Sequence, residues 1–228
     1  MLWDFDGTLA SRHGLWSGCV LEVLDELEPG HAATLERVRA GMRGAFPWNR
    51  HEQPHTHLAD ADEWWSVMEA AIAEAVCDCG VAARRGRELA AAVRARFIDG
   101  TRAWQLFEDS RAALTATAQA GWRNVILSNH VPELHALVET LGLSDLVERT
   151  FSSGETGYEK PHPEAYLGAL RACGAPAERW MIGDNPLADV RGAEALGIPA
   201  ILVRSDAPAP TKAPDAAGAA ALVCSTGR

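Results

Sequence analysis

From residue 124 onward, short apolar runs alternate with helix-length stretches, and this alternation limits the fold more than any other feature. The runs are Asn124–Leu127, Arg149–Phe151, Trp180–Ile182, Ala200–Val203 and Ala221–Cys224. Turn residues bracket the stretches around them. Asp109 or Ser110 opens one that stops at Gly121, Pro132 one that stops at Gly142, and Pro163 one that stops at Gly174. Leu187–Leu196 stops at Gly197. Proline suits a first helical turn, and glycine past the end accepts the left-handed exit. Strands alternating with helices of this length predict βαβ units and a parallel sheet. The Ala- and Pro-rich Ser205–Gly218 predicts a surface loop leading to a last short strand at Ala221–Cys224.

The first half reads differently. Leu15–Leu27, Ala33–Ala45, Asp60–Cys79 and Ala82–Ile98 carry helical patterns with no convincing strand among them. Asp60 and Glu63 form a capping-box pattern. Trp64, Val67, Met68, Ala71 and Ile72 then recur at helical spacing, which predicts a bundle core. A helical block of about 15–98 therefore interrupts an α/β chain whose first strand lies at residues 1–3. The arginines at 84, 85, 87, 94 and 96 predict a solvated helix face. The segment 47–57, with His51, His55 and His57, predicts an exposed polar loop rather than a metal site, because no Cys or acidic cluster completes one.

Composition excludes some functions. With 228 residues the chain holds one or two domains and buries a core without staples. It has 31 Asp plus Glu against 21 Lys plus Arg, a net charge of −10. That balance argues against nucleic acid or an anionic membrane as a partner. No apolar run approaches the roughly 18 residues of a membrane span. No secretory signal is recognisable, and five scattered cysteines predict reduced thiols and a cytoplasmic location. Cys77 and Cys79 diverge on a helix, and no second pair completes a zinc site.

The chemistry gathers where apolar runs end. Asp4-Phe5-Asp6-Gly7-Thr8 closes the first strand. Strand geometry sends Asp4 and Asp6 to the same face, and Gly7 lets the chain leave sharply. Two carboxylates so close favour a bound divalent cation or a shared proton. Ser128 and Asn129 follow Val125–Leu127; Gly183 and Asp184 follow Trp180–Ile182; Lys160 precedes Pro161. A parallel sheet brings these strand ends to one rim, where ligands bind. Oxygen ligands without converging Cys or His suit a hard cation such as Mg²⁺. The cation and Lys160 together suit a phosphoryl group.

These residues resemble the haloacid dehalogenase-like hydrolase superfamily, in the subgroup with a helical cap inserted after the first motif. Four motifs stand in order: Asp4-x-Asp6-Gly7-Thr8, Ser128-Asn129, Lys160-Pro161 and Gly183-Asp184-x-x-x-x-Asp189. The run Ser153-x-Glu155-x-Gly157-x-x-Lys160-Pro161 is typical of the capped subgroup. The resemblance implies an α/β fold with a Rossmann-like parallel sheet flanked by helices, residues 1–14 and 99–228, and a four-helix cap, residues 15–98. It implies an Mg²⁺-dependent phosphatase acting on a small phosphorylated metabolite. Asp4 would be the nucleophile that forms an aspartyl-phosphate, and Asp6 the general acid and then base. Ser128 would hold a phosphoryl oxygen, and Lys160 would offset charge. Mg²⁺ would bind Asp4, the main-chain carbonyl of Asp6, and Asp184. Asp189 would be a further ligand through water, or an orienting partner.

Further expectations follow for the cap and for rival activities. Thr8 and Asn129 belong to the motifs that bind substrate. Arg12, His13 and Trp16, where the chain enters the cap, and Trp48 and Arg50 on its longest loop are candidates for substrate contact. Asp6 favours phosphate esters over dehalogenation, since a departing alkoxide needs a proton and a halide does not. The cap holds no lysine, which argues against Schiff-base phosphonate cleavage. A phosphomutase, or a phospho-ligand-binding homologue without turnover, are the alternatives. Only Met1–Trp3 precede Asp4, fewer than the usual five or six strand residues. Either the sheet tolerates a clipped strand, or the natural start lies upstream.

Overall fold

A computed structural model describes residues 1–226. The elements in chain order are β1 (Leu2–Trp3), β2 (Ala10–Arg12), α1 (Leu15–Leu27), α2 (Leu35–Gly41), α3 (Ala61–Asp78), α4 (Ala83–Ile98) and β3 (Trp104–Leu106). There follow α5 (Ser110–Gln119), β4 (Val125–Ser128), α6 (Leu134–Thr140), β5 (Arg149–Ser152), α7 (Ser153–Thr156) and α8 (Pro163–Ala172). The chain then forms β6 (Met181–Gly183), a π-type turn over Pro186–Arg191, α9 (Gly192–Glu194), β7 (Ala200–Val203), β8 (Lys212–Ala213) and α10 (Ala216–Thr226). Six strands form one parallel sheet in the order β5-β4-β1-β6-β7-β8. The short β1 holds a central place, with Leu2 and Trp3 paired to Val125 and Ile126 on one side and to Met181 and Ile182 on the other. The chain reverses its direction of travel across the sheet at β1, and open α/β sheets bind ligands at such a point.

Side-chain alternation along the strands splits the core into two layers. Trp3, Ile126, Ile182, Ile201 and Val203 face one layer, which also takes in α5, α6 and α10. Leu2, Val125, Leu127, Met181, Ala200 and Leu202 face the other, against Tyr166, Ala169 and Leu170 of α8. The first layer continues without a break into the helical block through Trp64, Trp65, Met68, Ile72, Leu89, Val93 and Phe97. A buried polar cluster fixes the base of β1. Asn124 Oδ1 accepts from Trp3 Nε1 at 3.0 Å and Thr117 Oγ1 at 2.8 Å, while its Nδ2 donates to the Leu114 carbonyl at 2.9 Å.

Helices α1 to α4 form the cap. Asp60 caps α3, its Oδ1 accepting from the Asp62 and Glu63 main chain. The second helix covers Leu35–Gly41 rather than Ala33–Ala45, because Thr34 caps its start and Gly44 exits with φ of +79°. An antiparallel pair, β2 with β3, joins the outgoing and returning chain between core and cap. Arg85, Arg94 and Arg96 do not stand free in solvent; they bond Glu28, Asp62 and Glu26 respectively.

Two expectations fail. Ala221–Cys224 is not a strand but part of α10, and the last strand is the edge strand β8. Alanine has the highest helix propensity, and Ala216, Ala219, Ala220 and Val223 recur as a buried helical stripe. Asp109 and Asp215 accept from the Ala217 and Gly218 amides at its start. The segment 47–57 is not a uniformly exposed loop. His55 is buried, with Nδ1 2.7 Å from Glu159 Oε2, and its amide donates to the Gly157 carbonyl at 2.7 Å. Gly157 has φ of +72°, and a Cβ there would lie 2.5 Å from Thr56 Cα. Glycine is required because the cap loop seats directly on its backbone.

Candidate active site

Asp4 leaves β1 with its amide donating to the Ile182 carbonyl at 2.8 Å. The chain then folds back, the Leu9 and Ala10 amides both donating to the Phe5 carbonyl at 2.9 Å. Gly7 makes the turn at φ of +81°, and a Cβ there would fall 2.5 Å from Asp184 Oδ2. The absent side chain lets the loop after β1 approach the loop after β6. Asp4 and Asp6 both line the cavity at this rim. Burial, then the charge of Asp4, pushes Asp6 up to about 7.

Ser128, Lys160 and Asp189 converge on Asp4 from three other elements. Asp4 Oδ1 accepts from Ser128 Oγ at 2.7 Å and from Lys160 Nζ at 2.9 Å. Lys160 Nζ also donates to Asp189 Oδ1 at 2.5 Å. Burial of Lys160 favours loss of its proton, but the Asp189 and Asp4 charges outweigh burial and hold it above the usual lysine range. Asp189 Oδ2 accepts from the Asn185 amide at 2.9 Å. A Cβ on Gly183 would collide with that oxygen, so the strand end must be glycine for Asp189 to fit. Through these bonds Asp189 holds the Lys160 ammonium.

The predicted substrate contacts divide. Trp16 and Trp48 line the cavity, which holds about 400 Å³. Asn129 also lines it, yet its amide group is engaged by the Lys160 backbone, donating to the carbonyl at 2.8 Å and accepting from the amide at 2.7 Å. Thr8 is buried behind the lining, its Oγ1 donating to Asp184 Oδ1 at 3.5 Å. Arg12 is buried beneath the cap, where it pairs with Glu22 at 2.6 Å and bonds the Leu15 carbonyl. His13 and Arg50 are exposed and outside the lining. Thr8, Arg12, His13 and Arg50 thus lie outside the cavity lining that Trp16, Trp48 and Asn129 share. Phe46, Phe97, His130 and Asn185 also line the cavity, although the sequence did not single them out. His130 sits one residue past the Ser128-Asn129 motif and Asn185 directly after Asp184 within the fourth motif, which is the signal that could have found them.

The residues fit a divalent cation. Asp4, Asp184 and Asp189 each offer a carboxylate oxygen, and those oxygens lie within 4.8 Å of one another. Burial, followed by the charges of Asp4, Asp189 and Asp6, drives the Asp184 carboxyl well above its ordinary range. A carboxylate so disfavoured is stabilised by a cation, and an all-oxygen donor set suits a hard one. Gly7 and Gly183 keep side chains out of this space.

Fold and site together define a hydrolase. The haloacid dehalogenase-like hydrolase family matches residues 1–197, and the chain belongs to that family. It is 35% identical over 160 residues to a phosphoserine phosphatase from Thermus thermophilus, covering 68% of this chain and 61% of that protein. The matched region thus spans about three-fifths of the relative's length. Among solved structures, a 2-haloacid dehalogenase from Pseudomonas syringae superposes with a TM-score of 0.67 at 19% identity, covering 99% of this chain and 97% of that one. A family hydrolase from Bacillus subtilis, solved bound to magnesium, gives 0.70 at 16% identity over 94% and 93%. No helix among the described residues is long and apolar enough to cross a membrane.

Proposed function

We propose that this hydrolase is an Mg²⁺-dependent phosphatase for a small phosphorylated metabolite, working through an aspartyl-phosphate on Asp4. The observation that carries this reading is Asp6, a carboxyl lining the same cavity as Asp4 and pushed up to about 7. Such a group holds a proton near neutral pH and delivers it to a departing alkoxide. Displacement of halide has no use for it. The phosphatase relative supports the same chemistry.

Each group has a separate task. Ser128 and Lys160 both bond Oδ1 of Asp4, which turns Oδ2 into the oxygen open to attack. The new bond runs from that oxygen to phosphorus while the ester P–O bond breaks. Asp6 donates its proton to the leaving oxygen. Asp6, now ionised, accepts a proton from water as the water attacks phosphorus. The Asp4–phosphorus bond breaks, and inorganic phosphate leaves. Lys160 offsets the negative charge gathered around the phosphoryl group, and Asp189 and Asn129 hold it in place. Asp4, Asp184 and the Asp6 carbonyl would hold Mg²⁺, which when bound supplies charge stabilisation to the phosphoryl oxygens.

Release of inorganic phosphate from a panel of phosphorylated metabolites, with and without EDTA, tests this directly. Asp4→Asn should abolish release. Asp6→Asn should lower it by about 10²–10⁴-fold on alkyl phosphates, the usual reach of general acid catalysis. A folded wild-type protein inactive across the panel would sink the reading.

A further inference from the structure

The cap side of the cavity is aromatic and uncharged. Trp16, Phe46 and Trp48 are half-buried and line it, together with Leu15. Phe46 stacks on Trp48 with centroids 4.6 Å apart and planes 11° apart, and Trp16 stacks on Phe97 at 3.9 Å and 13°. Rigid stacked rings offer flat faces at little entropic cost, and a bound ring gains from them.

Charge narrows the ligand further. The lining carries four carboxylates, Asp4, Asp6, Asp184 and Asp189, and a single cation, Lys160. Lys160 is already bonded to two of those carboxylates. Arg12 is paired with Glu22, and Arg50 lies outside the lining. A substrate with a second anionic group beside its phosphate would find no free cationic side chain in this lining to pair with.

His130 adds a specific polar demand. Its main chain is pinned, the carbonyl accepting from Ser152 Oγ at 2.7 Å and the Gly154 amide at 3.1 Å. Its ring packs against Phe5, Trp104 and Phe97, with centroids 5.5, 5.2 and 6.0 Å away. The residue is 3% exposed and lines the cavity, yet neither ring nitrogen has a hydrogen-bond partner. A buried polar atom left unpaired is destabilising, and a ligand atom can offset that. Burial keeps the imidazole neutral by pushing it down to about 4, against the Asp4 charge. It therefore presents one donor and one acceptor.

We infer that the leaving group is a flat, uncharged ring bearing a hydrogen-bonding heteroatom, held between the aromatic wall of the cap and His130. This rests on the phosphatase reading and names the substrate class of that site. It sets the specificity apart from phosphoserine, whose leaving alcohol carries charged groups.

Initial rates of phosphate release from five phosphorylated compounds, one acyl phosphate and four esters, test the inference. Acetyl phosphate reports the bare chemistry. O-phosphoserine and phosphoglycolate carry a further charge. Benzyl phosphate and pyridylmethyl phosphate carry a ring on an equally unactivated alcohol. Benzyl phosphate should exceed O-phosphoserine in kcat/KM by about tenfold or more, and pyridylmethyl phosphate should exceed benzyl phosphate. Trp48→Ala and Phe46→Ala should each lower the benzyl-to-acetyl ratio about tenfold, chiefly through KM. His130→Phe should erase the pyridyl advantage, and His130→Gln should restore part of it. These are ratios within one protein, so partial loss of fold does not mimic them. Turnover of acetyl phosphate that is lost in Asp4→Asn, combined with O-phosphoserine or phosphoglycolate equal to benzyl phosphate, would overturn the inference and leave the phosphatase standing. No turnover of any of the five compounds would remove both.

Discussion

At the scale of single residues, the polar groups of the site differ most in how their burial is offset. Lys160 is buried against two carboxylates, whereas the ring of His130 is buried without a hydrogen-bond partner. The consequence for His130 is a pH dependence of stability. In the unfolded chain its pKa returns to about 6.5, so between about 6.5 and 4 the unfolded state binds more protons than the folded state. Stability is then fully present above 6.5 and falls as pH drops toward 4, by about 3 kcal/mol for this one group. His130→Phe keeps an aromatic ring among Phe5, Phe97 and Trp104 but cannot titrate. Urea unfolding at pH 7 and pH 4.5 should show wild type losing about 2–3 kcal/mol more than His130→Phe. Equal losses would mean that the imidazole is not desolvated. Asp4, Asp6, Ser128 and Asp184 are legible in the sequence because each sits at or just past a strand end, a place that periodicity identifies, whereas Lys160 lies beyond α7 and is marked by the Lys160-Pro161 motif. Arg12 is not legible in this way: its sequence neighbourhood points to the site, while its side chain turns under the cap to Glu22. Only packing decides that.

At the scale of elements, the join between cap and core is where backbone geometry is least forgiving. The turn at 55–58 rests on Gly157 in α7's exit, and the His55–Glu159 pair closes over it one residue before Lys160. Gly157→Ala faces two costs, roughly 1–2 kcal/mol for a left-handed alanine and a 2.5 Å clash with Thr56 backbone. Gly121 provides the matched control, with φ of +90° and nothing within 4 Å of the point where a Cβ would stand. Thermal unfolding should show Gly157→Ala destabilised well beyond Gly121→Ala, and limited proteolysis should cut segment 47–58 faster only in the former. Comparable losses would show that the loop is not seated on Gly157. Four cap helices and the parallel strands are readable because amphipathic period and turn residues agree there. The error at Ala221–Cys224 arises where they disagree: the four-residue apolar run has no period of its own, and the alanines around it decide for helix. The seat of His55 is invisible in the sequence because its partner lies 104 positions away, beyond helices α3 and α4.

At the scale of the whole molecule, the formal charge of −10 is not spread evenly in its effect. Most acids are exposed, where repulsion is screened, but four line one cavity at the centre of the sheet with a single ammonium among them. Folding brings those carboxylates together, so the cluster opposes the folded state until a cation offsets it. An ion that binds the folded state and not the unfolded one raises stability by RT ln(1 + [L]/Kd), about 2.7 kcal/mol at one hundred times Kd. For a chain of this size each kcal/mol raises Tm by about 2–4 °C. Saturating Mg²⁺ should therefore raise Tm by several degrees over an EDTA-treated sample, with Na⁺ at matched ionic strength giving much less. Asp184→Asn removes one ligand and one repelling charge together. It should raise the metal-free Tm slightly and abolish most of the Mg²⁺-dependent gain. Differential scanning calorimetry reads both without relying on turnover. A gain undiminished in Asp184→Asn would place the cation elsewhere, and the carboxylate cluster would then have to be held by shared protons instead.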